Sequence, residues 1–179
     1  MAIDQLQDVS VIDAISGVID DVNTDITPVI LNFYHGTPME FTREHGIDMD
    51  GNQLKYPAVF MWEPFTEALN LNEGVNEYST SSIRLIFLDS VKPAEWSVAN
   101  YYANRMDQLK EYTLLFLQKL DLKAGIKLDL TEEIDRITHT NWGVVVVNRG
   151  HVQSIIDEAV GGIELNNVAV VIDKSYICN

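Results

Sequence analysis

The sequence predicts an α+β fold in two layers: a small, mainly antiparallel sheet packed with an N-terminal helix and one long central helix. Three observations lead there. Apolar residues make up 46% and charged residues 22% of 179 residues, which are globular proportions. Helical spacing of apolar residues occurs near the N-terminus and again past residue 93, and short apolar, β-branched runs fill the rest. The resulting order of helix, strands, long helix and strands fits one domain of two layers.

Val11, Ile12, Ile15, Val18, Ile19 and Val22 recur at three- and four-residue steps and form one apolar stripe. Ser10 is placed to cap this helix, and Asp13 sits favourably near its positive end. Asn23 and Pro28 mark its stop, and Asp13, Asp20 and Asp21 its wet face. Val29 to Tyr34 reads as a strand. From His35 to Gln53 the chain is polar and irregular, with Gly36, Pro38, Gly46 and Gly51, and reads as an extended loop. Asp50-Gly51 suits a tight hairpin turn leading into a strand from Tyr56 to Met61, with Pro57 at the strand's beginning or on an edge.

Glu63 to Ser82, acidic and rich in Asn, Ser and Thr, reads as a second extended loop. Ile83 to Leu88 is apolar on both sides and predicts a central strand. Pro93 suits the first turn of a helix from about 93 to 120, with Val98, Tyr102, Met106, Leu109, Tyr112, Phe116 and Leu120 on its buried stripe. Asn104, Asp107, Lys110 and Glu111 take its wetter positions. Ile134–Thr138 and Trp142–Val147 suggest a hairpin around His139-Thr140-Asn141, with Asn148-Arg149-Gly150 breaking it. His151 to Val160 reads as a short helix ended by Gly161-Gly162, before a final strand bent at Asn166-Asn167.

The charge is lopsided. Residues 1–80 hold 14 acids against Arg43 and Lys55, whereas residues 81–179 hold 13 acids and 10 bases, for a total of −15. A chain so poor in Lys and Arg lacks the usual means of neutralising phosphates, so tight nucleic-acid binding is not expected. The start of the chain has no signal-peptide pattern, and no apolar run approaches the roughly 20 residues of a membrane span. Cys178, the sole cysteine, excludes an intrachain disulfide. The expectation is a soluble protein.

Signs of catalysis are sparse. Asp48-Met49-Asp50-Gly51-Asn52 resembles the opening of a calcium loop, but Gln53 and Val59 stand where the turn glycine and bidentate glutamate belong. A polar turn is the simpler reading. His35, His45, His139 and His151 make no His-x-x-x-His spacing. His35 and His45 flank the first loop together with Glu40 and Glu44, whose carboxylates would let them share a metal in a dispersed-site hydrolase. Ser90 lies between a strand and a helix but lacks a Gly-x-Ser-x-Gly elbow, and no phosphate-binding glycine motif occurs. No cofactor, metal or enzymatic role is predicted. Trp96 and Tyr101 fall off the long helix's core stripe, and Trp62 follows a strand beside Glu63. Aromatic groups so placed are candidates for contact with another subunit.

The ordered pattern resembles the ring-forming head-to-tail connector and tail-completion (tail-terminator-like) proteins of tailed phages, most closely those of phages of gut Bacteroidota. The resemblance rests on the N-terminal amphipathic helix, the long loop, Tyr56-Pro57-Ala58-Val59-Phe60, Ser82-Ile83-Arg84-Leu85-Ile86-Phe87-Leu88-Asp89, a long helix with Arg105, and the terminal β segment. It implies a non-enzymatic virion subunit, made in the bacterial host cytoplasm. Its partners would be further copies of itself in a closed ring and other phage neck, tail and portal proteins, with DNA passing through without specific binding and no membrane involved. Under that reading both loops serve assembly, with Trp62, Glu63, Trp96, Tyr101, His35, Glu40 and Glu44 as candidate contacts. Two other readings compete: the dispersed-site metal-dependent hydrolase, and an acidic monomeric adaptor or inhibitor of a basic partner.

Overall fold

The computed structural model describes residues 10–37, 56–72, 75–90, 101–131, 133–142, 144–147, 151–154 and 160–173. Among these residues are two helices and a mixed, mainly antiparallel sheet of seven strands. Helix α1 spans Val11–Asp25 and starts as its sequence dictates: Ser10 is extended and its Oγ accepts from the Asp13 N–H at 3.1 Å. Val11, Ile15, Val18, Ile19 and Val22 are buried, with Ile12 packed at their margin. Asn23 lies inside the helix and does more than mark its end. Its side chain accepts from the Leu31 N–H at 2.7 Å and donates to the Leu31 carbonyl at 3.1 Å, as a neighbouring strand would.

That grip explains why strand β1 is Asn32–Gly36 rather than the expected Val29 to Tyr34: both backbone groups of Leu31 are already occupied. β1 runs parallel to β2 (Ala58–Trp62). Parallel neighbours need a long crossover, so a hairpin turn does not join them; Asp50-Gly51 itself lies outside the described residues. Pro57 precedes β2, and its carbonyl accepts from the Asn32 N–H at 3.1 Å.

The segment from Glu63 to Ser82 is not a loop. Thr66–Asn72 forms β3, which pairs antiparallel with β4 (Val75–Ser90) from Thr66↔Ser82 to Asn72↔Val75. The polar composition concealed a hairpin because few of its side chains enter the core. β4 is central, as Ile83 to Leu88 foretold. One of its edges takes β2 and then β3, and its other edge takes β9 (Val160–Asp173).

Helix α2 is described over Tyr101–Leu122, 22 residues, so the expected start at Pro93 falls outside the described residues. Met106, Leu109, Phe116 and Leu120 are buried, with Tyr112 half-buried beside them. The helix does not dominate the fold as expected. It lies beside α1 on one face of the sheet, and the paired strands β4 and β9 form the spine. Lys123 donates from Nζ to Asp21 at 2.5 Å and to the Gly17 carbonyl at 3.2 Å, and Lys119 pairs with Asp25 at 2.7 Å, which clips the two helices together.

The far edge of β9 carries β6 (Asp135–Trp142) along its first half and β5 (Ile126–Leu128) along its second. His139-Thr140-Asn141 therefore lie within β6, not in a hairpin turn. Val144–Val147 (β7) pairs instead with His151–Ser154 (β8) in a separate two-stranded sheet, so the helix expected from His151 begins as a strand. Gly161-Gly162 belong to β9 rather than to a helix end.

The bend at Asn166-Asn167 is real. Opposite Arg84 the pairing slips from Leu85↔Leu165 to Ile83↔Val168, and Asn167 takes φ 58°. This β-bulge adds one residue to one strand. Without it Leu165 and Val168 would face opposite sides; with it Ile163, Leu165, Val168, Val170 and Ile172 all join the core under the helices. Phe60, Ile86, Leu88 and Val160 make a smaller cluster on the reverse face.

Ser79 and Ser81 are fully buried, and their hydroxyls have no hydrogen-bond partner among the described residues. A buried, unpaired hydroxyl costs about 1–3 kcal/mol. Ser79→Ala and Ser81→Ala are each expected to raise the unfolding free energy by about 1 kcal/mol, read as a higher denaturant midpoint with unchanged slope.

A buried glutamate, a cleft and two exposed sheet margins

The reverse face of the sheet holds a polar group that the sequence did not single out. Glu164 of β9 is 2% exposed, yet it is a carboxylate. Arg84 of β4 donates from Nε to its Oε1, and Nε2 of His139, on β6, lies 2.6 Å from its Oε2. Three strands thus place one acid between two bases. A buried charge is tolerated only when so paired. Arg84 also lies over the Trp62 ring at 5.5 Å, and Trp62 packs on Phe60 at 4.7 Å and Trp142 at 5.8 Å between ring centroids. A cation over an indole face is held by the ring quadrupole.

Beside this group opens a cleft of about 430 Å³, lined by Trp62, Pro64, Phe65, Arg84, Asp135 and Asn166 among others. It sits where β2 gives way to β3 along one edge of β4, and where the bulge interrupts β9. Its lining mixes one guanidinium, two carboxylates (Glu63 and Asp135) and aromatic walls. Among the described residues, no group of three His, Cys, Asp or Glu is placed to share a metal.

The predicted contacts divide. His35 and Glu63 do meet, at 2.7 Å between Nδ1 and Oε1, across the parallel pair β1 and β2; His35 lies on a strand, not in a loop. Trp62 is half-buried in the aromatic group just described. Tyr101 is the first described residue of α2. Glu40, Glu44, His45, Trp96 and the Asp48-Met49-Asp50 motif lie outside the described residues. The Ser90 N–H donates to its neighbour Asp89 Oδ1 at 2.8 Å, and Ser90 ends β4 opposite Val160; Val91-Lys92-Pro93 lie outside the described residues.

Asp89 itself is buried, and Arg105 Nη1 donates to its Oδ2 at 3.0 Å. Burial raises the Asp89 carboxyl above its ordinary value despite the opposing pull of Arg105. Burial likewise raises the Tyr112 phenol, with the Asp89 charge adding to it. This pair anchors α2 to the end of β4.

The chain matches no known family model and no curated protein. No helix among the described residues is long and apolar enough to cross a membrane.

The outer strands complete the site. On β3, Thr66, Glu67, Ala68, Leu69 and Asn70 are all exposed, so both faces of the strand are wet. On β6, Asp135, Arg136, Ile137 and Thr138 are all exposed as well. Leu69 is 57% and Ile137 42% exposed. The two strands lie on opposite margins of the sheet.

Proposed function

We propose that this chain is a non-enzymatic structural subunit of a phage head-to-tail connector or tail ring. Copies of it form a closed ring that links portal-side and tail-side components around the DNA channel of the virion, after synthesis in the host cytoplasm. The observation that carries the reading is β3. Ordering a strand costs roughly 1–2 kcal/mol per residue in backbone entropy, and a strand wet on both faces recovers little of that by burial. A protein that keeps such a strand at its margin gains from it when another chain covers it. The acidic surface supports the same reading, since a channel wall that does not attract phosphate lets DNA pass.

Light scattering and negative-stain electron microscopy on the purified chain, alone and mixed with portal and tail proteins of its phage, test the proposal. The expected result is a ring of defined mass, either spontaneously or on the partner. A monomer that ignores every one of those proteins removes it.

A further inference from the structure

We infer that subunits join head to tail through their sheets, with β3 of one copy pairing antiparallel to β6 of the next. The inference rests on the assembly reading and adds the surfaces that meet. Strand directions come first. β3 runs antiparallel to β4, β9 runs antiparallel to β4, and β6 runs antiparallel to β9. β3 and β6 therefore point in opposite directions within one sheet. If the next copy continues that sheet in the same orientation, its β6 arrives antiparallel to β3, the better-bonded arrangement of two strands.

The faces agree too. Glu67 and Leu69 lie opposite Ser81 and Ser79, on the same side of the sheet as the buried Ile83 and Leu85. Arg136 and Thr138 lie opposite Leu165 and Ile163, again on that side. Continuing the sheet thus brings the acidic Glu67 and the basic Arg136 of the next copy to one face, and cross-strand pairs of opposite charge are favourable. On the other face, Ala68 of one copy and the exposed Ile137 of the next share a surface. Neither strand carries a proline or lysine, and the core-side charges that would guard these edges, Glu67 and Arg136, are opposite in sign, so they keep each edge from its own kind and favour the mixed pair. Because the two surfaces differ, the contact is heterologous, and a heterologous contact closes into a ring when its rotation allows. Pairing of β3 with a second β3 would stop at a dimer.

Cysteine cross-linking decides it. With Glu67 opposite Arg136, the antiparallel register sets Thr66 opposite Ile137; in a Cys178→Ser background, Thr66→Cys together with Ile137→Cys is expected to give a disulfide-linked ladder of oligomers on oxidation, while each substitution alone gives none. Glu67→Arg or Arg136→Glu alone is expected to shift the oligomer toward monomer mass, and the two in one chain to restore it. A dimer from Thr66→Cys alone overturns the pairing in favour of a two-fold contact. An intact ring that neither cross-links nor responds to the charge reversals also overturns it, yet leaves the ring reading standing. A chain that is monomeric with and without portal and tail proteins removes both.

Discussion

Replacing Arg105 with methionine is expected to cost about 3 kcal/mol of folding stability at and above neutral pH, because it strands the buried Asp89 carboxylate without its counter-charge. The pH dependence separates this from lost packing. Burial already holds the Asp89 carboxyl above its ordinary value, and Arg105 pulls it down. Removing the guanidinium lets it rise further. An acid with a raised value in the fold binds its proton more tightly folded than unfolded, so its contribution to stability is present below the unfolded value and is lost as pH rises through the folded one. The deficit of the variant should therefore shrink as the solution is acidified toward the carboxylate range. Adding Asp89→Asn, which keeps an acceptor for the Ser90 N–H, should recover most of the loss. Denaturant titrations at several pH values read both effects; an equal deficit at every pH, unrelieved by the second substitution, would contradict the account.

Gly162→Val should be comparably damaging, at about 3 kcal/mol, since overpacking a filled core forces side chains off their rotamers or moves backbone. A Cβ at Gly162 would stand 2.8 Å from Leu88 Cδ2 and 3.2 Å from both Ile86 Cδ1 and the Phe87 carbonyl oxygen. The leucine can turn aside; the carbonyl belongs to the β4 ladder and cannot. Truncating the movable neighbour as well, with Leu88→Ala, should leave the double variant less than additive in its loss. If the two losses simply add, the close approach is not what makes glycine necessary there.

What could be read from residues alone followed from how local each signal is. The stripe from Val11 to Val22, the cap at Ser10, the doubly apolar Ile83 to Leu88 and the bend at Asn166-Asn167 each rest on a few neighbouring positions, and each has its counterpart in the structure. β3 was missed because its only alternation, Leu69-Asn70-Leu71-Asn72, is short and set in a polar stretch with a single β-branched residue, Thr66; it is a strand because β4 offers it a ladder. His151 to Ser154 went wrong for a related reason, since it is a strand through its pairing with β7, a partner outside the segment itself. The group around Glu164 could not be foreseen. Arg84 lies 80 residues away in sequence and His139 25, and only the pairing of β4 and β6 with β9 brings them together. Its one local sign was a charged residue inside the apolar run Ile163-Glu164-Leu165.

The long pairing of β4 with β9 from Tyr78↔Asp173 to Ser90↔Val160, which slips register at the bulge opposite Arg84, has a mechanical consequence. Tension applied along these strands does not open their bonds one after another, as pulling a zipper would, but loads the whole row in shear at once. Rupture then demands the near-simultaneous failure of many weak links. A molecule built on such a pair resists stretching along that axis far better than peeling across it, and single-molecule pulling from handles placed at Tyr78 and Val160 would measure the difference.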